Sequence, residues 1–182
     1  MEQTPLLRLI SLRRSVRKYK PAPIEKEKLL ACLEAARLAP SACNAQPYKF
    51  IVVDEPALKD KLAAAAFSGI YSPTRFAAKA GALVVIAAQK ENATAWIGNQ
   101  VRETNFRLID IGIAAEHFVL AAEEQGLATC WIGWFDAKAA AKAVGLPAGC
   151  KAEIIISVGY ADENPQPRKR KTLDKLSSFN GY

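Results

Sequence analysis

Arg13-Arg14-Ser15-Val16-Arg17 packs three guanidinium groups and a hydroxyl into one short stretch. Arginine carries a planar fork of N–H donors that matches phosphate oxygens, and serine adds a donor small enough to let an anion come close. The pattern fits a phosphate grip; an exposed, solvated basic turn is the competing reading of the same residues. A second segment, Pro40-Ser41-Ala42-Cys43-Asn44-Ala45-Gln46-Pro47, holds neutral hydrogen-bonding side chains between two prolines. Asn and Gln both donate and accept, so Ser41, Asn44 and Gln46 could read the edge of a planar heterocycle. They could equally satisfy their own backbone in a turn after a helix.

Other chemistries find little support. The single histidine, His117, lies between Glu116 and Phe118 without a Ser-His-Asp or Cys-His arrangement, and reads as a structural helix residue. Cys32, Cys43, Cys130 and Cys150 are widely spaced and form no C-x-x-C, so neither a structural metal nor a disulfide framework is expected. No Rossmann fingerprint or Walker loop occurs. The net charge of +7, from 25 Lys and Arg against 18 Asp and Glu, suits an anionic ligand, a nucleic acid or an acidic membrane. Basic residues interleaved with exposed aromatics, and a recognition helix, are both missing, which argues against a nucleic-acid partner. The N-terminus has no secretory pattern, and the most apolar run, Ala80 to Ala88, is about nine residues against the roughly 20 of a membrane span. A reduced, cytoplasmic, soluble protein is expected.

The elements that must position these residues can be read in turn. Thr4-Pro5 is a helix start, with Leu6, Leu7, Leu9 and Ile10 as the apolar face, so a short helix delivers the arginines. Pro21-Ala22-Pro23 breaks the chain, and a helix is expected from Ile24 to Ala39, stopped by Pro40. Lys49 to Asp54 reads as a strand, Ala57 to Phe67 as an alanine-rich helix, and Gly81 to Gln89 as a strand buried on both faces. Gln100 to Gln125, with Val101, Leu108, Ile111, Ala115, Phe118 and Ala122 on its apolar side, reads as one long buried helix closed by Gly126. Strands are expected over Thr129 to Trp134 and Ala152 to Tyr160, separated by a helix from Asp136 to Val144. Alternating strands and helices make an α/β or α+β sheet with helices packed on it.

At 182 residues and 51% hydrophobic, the chain suits one domain, 1–182. Its last part, 161–182, has too few apolar side chains for a core of its own and must dock elsewhere.

Taken in order, Arg13-Arg14-Ser15-x-Arg17, Pro40-Ser41-x-x-Asn44-x-Gln46-Pro47, Asp110-Ile111-Gly112, the run Gly126 to Gly133, and Val158-Gly159-Tyr160 before a basic tail resemble the FMN-dependent nitroreductase family. The resemblance implies an α+β fold. Its central sheet would be mixed but mostly antiparallel and flanked by helices, with a long buried helix at a dimer interface and an extended C-terminal tail. It also implies FMN as cofactor, NADH or NADPH as transient donor, and a homodimer with its flavin sites at the interface. The substrate would be a small electrophile such as a nitroaromatic or quinone, reduced in a ping-pong cycle.

By the same resemblance, Arg13, Arg14, Ser15 and Arg17, joined by Arg168 and Arg170 of the tail, would hold the FMN phosphate and ribityl chain. Pro40, Ser41, Asn44 and Gln46 of the other subunit would contact the isoalloxazine and ribityl groups, and the backbone of Ile132 and Gly133 would lie against the ring near N5. A flavin carries the redox chemistry itself, so no catalytic protein side chain is implied.

Longer members of the family carry a lid between the middle strand and the long helix, where this chain has the short stretch Lys90 to Asn99. Candidate substrate walls are Phe67, Tyr71, Phe76, Trp96 and Phe106, with Trp134 the best placed of the three tryptophans. Cys43 is expected to be a small filler. The Glu-Tyr-Lys lid set of iodotyrosine deiodinase-like members is not recognisable, although a reductive dehalogenase or flavin-consuming relative would keep the same fold and cofactor.

Overall fold

The computed structural model describes residues 4–89 and 104–182. Helix α1 (Pro5–Leu12) starts where its sequence says: the Thr4 hydroxyl accepts from the Leu7 N–H at 3.4 Å, and Pro5 fills the first turn. Helix α2 (Lys26–Arg37) is shorter than expected at both ends, because Glu25 is still extended after the proline break and the chain turns at Leu38 ahead of Pro40. Strand β1 (Tyr48–Val53) leads into α3 (Pro56–Ala66), whose N-terminus is capped by the Glu55 carboxylate accepting from the Ala57 and Leu58 N–H groups. A 3-10 stretch, Gly69–Lys79, then precedes β2 (Ala82–Ala88).

Helix α4 (Phe106–Glu124) follows a non-helical Asn105, and the expected start at Gln100 lies outside the described residues. Val101, Trp96 and the stretch Lys90 to Asn99 lie outside the described residues. Strand β3 (Ala128–Ile132), helix α5 (Ala137–Ala143), strand β4 (Lys151–Gly159) and a 3-10 turn at Leu173–Lys175 complete the order.

The strands form one sheet in the order β1-β2-β4-β3, every neighbouring pair antiparallel. The expected mixed character is reduced, among the described residues, to a single isolated parallel bridge between Ser15 and Thr129. All seven residues of β2 are buried, which explains why its sequence is a continuous apolar run rather than an alternation. Val84 and Ile86 face a core built with α2 and α4 through Leu29, Ile111, Ala115 and Phe118. Leu83 and Val85 face the opposite core, built with α3 and α5 through Leu62, Phe67 and Ala140. The result is a three-layer α+β arrangement whose period-two strands feed two separate cores. No helix among the described residues is long and apolar enough to cross a membrane.

Candidate functional site

The arginine segment is held as an extra edge beside the sheet. The Val16 N–H donates to the Thr129 carbonyl at 3.0 Å, and the Lys20 N–H donates to the Tyr160 carbonyl at 2.8 Å. Tyr19 is buried; its hydroxyl donates to the Val16 carbonyl at 2.7 Å and sits 2.8 Å from the Ser157 hydroxyl. Burial raises the Tyr19 pKa above the ordinary phenol value, so it stays a neutral donor. Beyond β4 the chain doubles back along the same segment: the Asp162 N–H donates to the Lys18 carbonyl, and the Glu163 carboxylate accepts from the Arg17 N–H at 2.5 Å and the Lys18 N–H at 3.2 Å. Glu163 thus staples the start of the tail to the arginines.

The tail and the arginine segment enclose a cavity of about 460 Å³ lined by Arg13, Arg14, Ser15, Arg17, Arg168 and Arg170, with Glu116 of α4 as its one acidic residue. The arginines are not equivalent. Arg14 Nη1 turns back onto the end of α1, donating to the carbonyls of Ser11, Leu12 and Arg13 at 2.6, 3.1 and 2.9 Å, so part of its donor set is spent as a helix cap. Arg17 lies over the Phe76 ring with its Cζ 5.8 Å from the centroid. Arg13 Nε is 3.8 Å from the Glu116 carboxylate, and partial burial pushes the Glu116 carboxyl above its usual range against the pull of Arg13. Burial also raises the Cys130 thiol beneath the segment, which keeps it a protonated packing group.

The loop from Pro40 to Gln46 is built under strain. Cys43, Asn44 and Gln46 have φ of 52, 52 and 46°, three left-handed positions with no glycine among them, interrupted by the right-handed Ala45. It is tied internally: the Gln46 N–H donates to the Ser41 hydroxyl at 3.0 Å, and the Gln46 side-chain amide donates to the Asn44 carbonyl and to Asn44 Oδ1, both at 3.2 Å. It is also tied to α4, where Asp110 Oδ1 accepts from the Ala42 N–H at 3.0 Å. Asn44 and Gln46 consequently stand exposed as a polar ledge. Cys43 is exposed as well, so it is not the filler its type suggests; the turn lifts it off the core.

The structure brings Arg13, Arg14, Ser15, Arg17, Arg168 and Arg170 to one cavity, while Pro40, Ser41, Asn44 and Gln46 of the same chain lie outside it. Ile132 is buried in the α3/α5 core, and Gly133 follows it with nothing within 4 Å of where a Cβ would stand. Trp134, next along, is 56% exposed yet fixed: its Nε1 donates to the Ile70 carbonyl at 3.0 Å, and Thr74 Oγ1 donates to the Trp134 carbonyl at 3.0 Å. Tyr71 packs against it with ring centroids 5.3 Å apart. Phe67 is fully buried and cannot be a wall of anything. His117 Nδ1 lies 3.3 Å from the Ala35 carbonyl and joins α2 to α4, a packing role. Glu116, which lines the cavity, and Glu163 and Tyr19, which hold the arginine segment beside it, carry no local sequence signal for these parts.

The family model described as Nitroreductase family matches residues 10–160. A Thermus thermophilus protein named NADH dehydrogenase is 28% identical over 190 residues, covering 90% of this chain and 90% of its own length. An iodotyrosine deiodinase from Thermotoga neapolitana is 27% identical over 185 residues, covering 94% and 97% respectively. Among solved structures, an FMN-dependent nitroreductase from Clostridium difficile superposes with a TM-score of 0.75 at 34% identity, covering 96% of this chain and 98% of the other. The matched span contains the arginine segment, the strained loop and all four strands, and the chain belongs to the nitroreductase family.

Proposed function

We propose that the protein is an FMN-dependent oxidoreductase that draws electrons from NADH or NADPH and delivers them to nitroaromatics, quinones or related small electrophiles in a ping-pong cycle. The observation that carries this reading is the arginine cavity. Its donor set fits a phosphate monoester: several guanidinium groups and the Ser15 hydroxyl surround one space, and charge-assisted hydrogen bonds are the strong kind. Gly133, with open space over its Cα, fits the close approach of a planar ring to backbone. FMN, when bound, supplies the redox chemistry. The protein binds and orients it: Arg13, Arg14, Ser15, Arg17, Arg168 and Arg170 at the phosphate and ribityl end, Pro40, Ser41, Asn44 and Gln46 at the ring, and the Ile132–Gly133 backbone beside N5.

We read the molecule as a cytoplasmic homodimer of single-domain subunits, each with a docking tail over 161–182. Helix geometry supports a shared site. Asp110, which holds the loop, and Glu116, which faces the arginine cavity, are six residues apart on α4, so they point about 120° apart around its axis and are separated by about 9 Å along it. A loop and a cavity attached to different faces of one helix complete each other most simply across a two-fold axis.

The decisive experiment is the absorption spectrum of the purified protein, followed by release and identification of any flavin. FMN is expected, with bleaching by NADH or NADPH under anaerobic conditions and re-oxidation by a quinone. Colourless protein that fails to bind added FMN would refute the reading. A second reading, reductive dehalogenation on the same scaffold, is favoured by the similarity to the Thermotoga iodotyrosine deiodinase. Iodide release from a halotyrosine in the same assay separates the two.

A further inference from the structure

Asp110 is the one charged residue among the described residues whose whole side chain is buried, at 4% exposure. A buried carboxylate needs donors, and burying one without them is costly. Its one side-chain hydrogen bond among the described residues is from the Ala42 backbone N–H, at 3.0 Å. That peptide directly precedes the left-handed residues Cys43 and Asn44. The other side-chain ties of the loop, between Ser41, Asn44 and Gln46, are internal and could travel with it as a unit. Asp110 is therefore the side chain that fixes the loop to the body of the protein. Tyr48, immediately after the loop, has a buried hydroxyl with no hydrogen-bond partner among the described residues. Burial first, and the charge of Asp110 second, raise its pKa, so it stays a neutral phenol.

We propose that Asp110 is a positioning residue for the flavin ring: from α4 it holds the Ala42 peptide, and through it sets the direction in which Asn44 and Gln46 present their amides. The inference rests on the reading that this loop contacts the isoalloxazine. A backbone in the left-handed region persists only where its surroundings over-determine it, and a charge-assisted bond from a rigid, buried helix position is such a determinant. Asp110 acts at the ring end of the ligand, whereas the arginine cavity acts at the phosphate end.

The two ends separate experimentally. Affinities of the flavin-depleted protein for FMN and for riboflavin, which lacks the phosphate, would be measured by fluorescence quenching for wild type, Asp110→Asn, Asp110→Ser and Arg17→Ala. Asparagine keeps an acceptor at the same reach; serine is too short to meet Ala42. Asp110→Ser should weaken both flavins by a similar factor of about ten or more, and Asp110→Asn should recover most of that loss. Arg17→Ala should weaken FMN much more than riboflavin. In the wild type, hydrogen exchange at the Ala42 amide should be slow compared with that at Cys43, a measurement that needs no variant to fold. Equal flavin affinities in wild type and Asp110→Ser, a loss confined to FMN, or fast exchange at Ala42 would each overturn the inference. Wild-type protein that binds neither flavin would refute the cofactor reading instead.

Discussion

Arg13 already has an anion beside it before any ligand arrives, because the Glu116 carboxylate lies 3.8 Å from its Nε and shares the cavity. Burial, partly offset by Arg13, raises the Glu116 pKa. A folded-state pKa above the unfolded one favours the fold below the unfolded pKa, and that contribution is lost as the pH rises through the folded pKa. A phosphate in the same cavity adds a second reason to disfavour the charged form. Like charges about 6 Å apart repel by roughly 1–3 kcal/mol at an effective dielectric of about 20–40, and the partial exposure of Glu116 places it at the low end. Glu116→Gln is therefore expected to tighten FMN several-fold near pH 8, with the advantage over wild type shrinking toward pH 5 and riboflavin unaffected. Titrations at the two pH values test this, and weaker FMN binding by the variant would mean that the carboxylate serves the ligand as an acceptor. Arg13, Arg14 and Arg17 are neighbours in the chain, so their spacing suggests a phosphate grip or a plain basic turn, whereas Arg168 and Arg170 come in only with the family resemblance. Glu116 and Glu163 were not legible: the Glu163 contact to the Arg17 N–H spans 146 residues, and no local pattern encodes it. Nor could spacing reveal that Arg14 would turn back to cap α1, since the helix end and the cavity compete for the same guanidinium.

At the level of elements, the segment from Arg13 to Lys20 acts as a strap between the edge of β3 and the returning tail, and Tyr19 is its anchor. Gly159 at the end of β4 makes room for that anchor. A Cβ there would stand 2.9 Å from Tyr19 Cδ1 and 3.0 Å from the Gly81 nitrogen, one a buried ring and the other backbone, neither able to give way cheaply. Gly159→Ala is expected to cost roughly 1–3 kcal/mol by overpacking, lowering Tm by several degrees in a scanning calorimeter. Because the displaced Tyr19 carries the strap, FMN affinity should fall with it, and a variant with reduced Tm but unchanged FMN affinity would uncouple the strap from the site. Most elements were readable within a residue or two, as their apolar periodicity and caps required: Glu55-Pro56 and Thr4-Pro5 start helices as their chemistry dictates. The 3-10 stretch Gly69–Lys79 was not, because Pro73 lies inside it and Gly69 enters it at φ 55°, so no 3.6-residue pattern exists to be read.

At the scale of the molecule, several large apolar side chains are left exposed. On α4, Leu108 and Ile109 are 46% and 48% exposed, and Gly112 one turn on has nothing within 4 Å of a Cβ position. Helix α1, which packs beside α4, exposes Leu6, Leu7, Ile10 and Leu12. The tail adds Leu173, Leu176 and Phe179. Exposed large apolar side chains on two helices that pack together point to an interaction face, and on the proposed dimer a second copy of the chain would cover it and also deliver the 40–47 loop to the arginine cavity. Ile109→Glu places a charge on that face without touching either core, because Ile109 points away from the buried row Ile111, Ala115 and Phe118. The expected outcome is a folded monomer by analytical ultracentrifugation, with circular dichroism close to wild type and flavin affinity lowered by at least about tenfold, since each site would lose the residues its partner supplies. A variant that stays dimeric would move the interface off α4. A monomer that holds FMN as tightly as the wild type would mean that one chain completes the site alone, and the loop at Asn44 and Gln46 would then need another purpose.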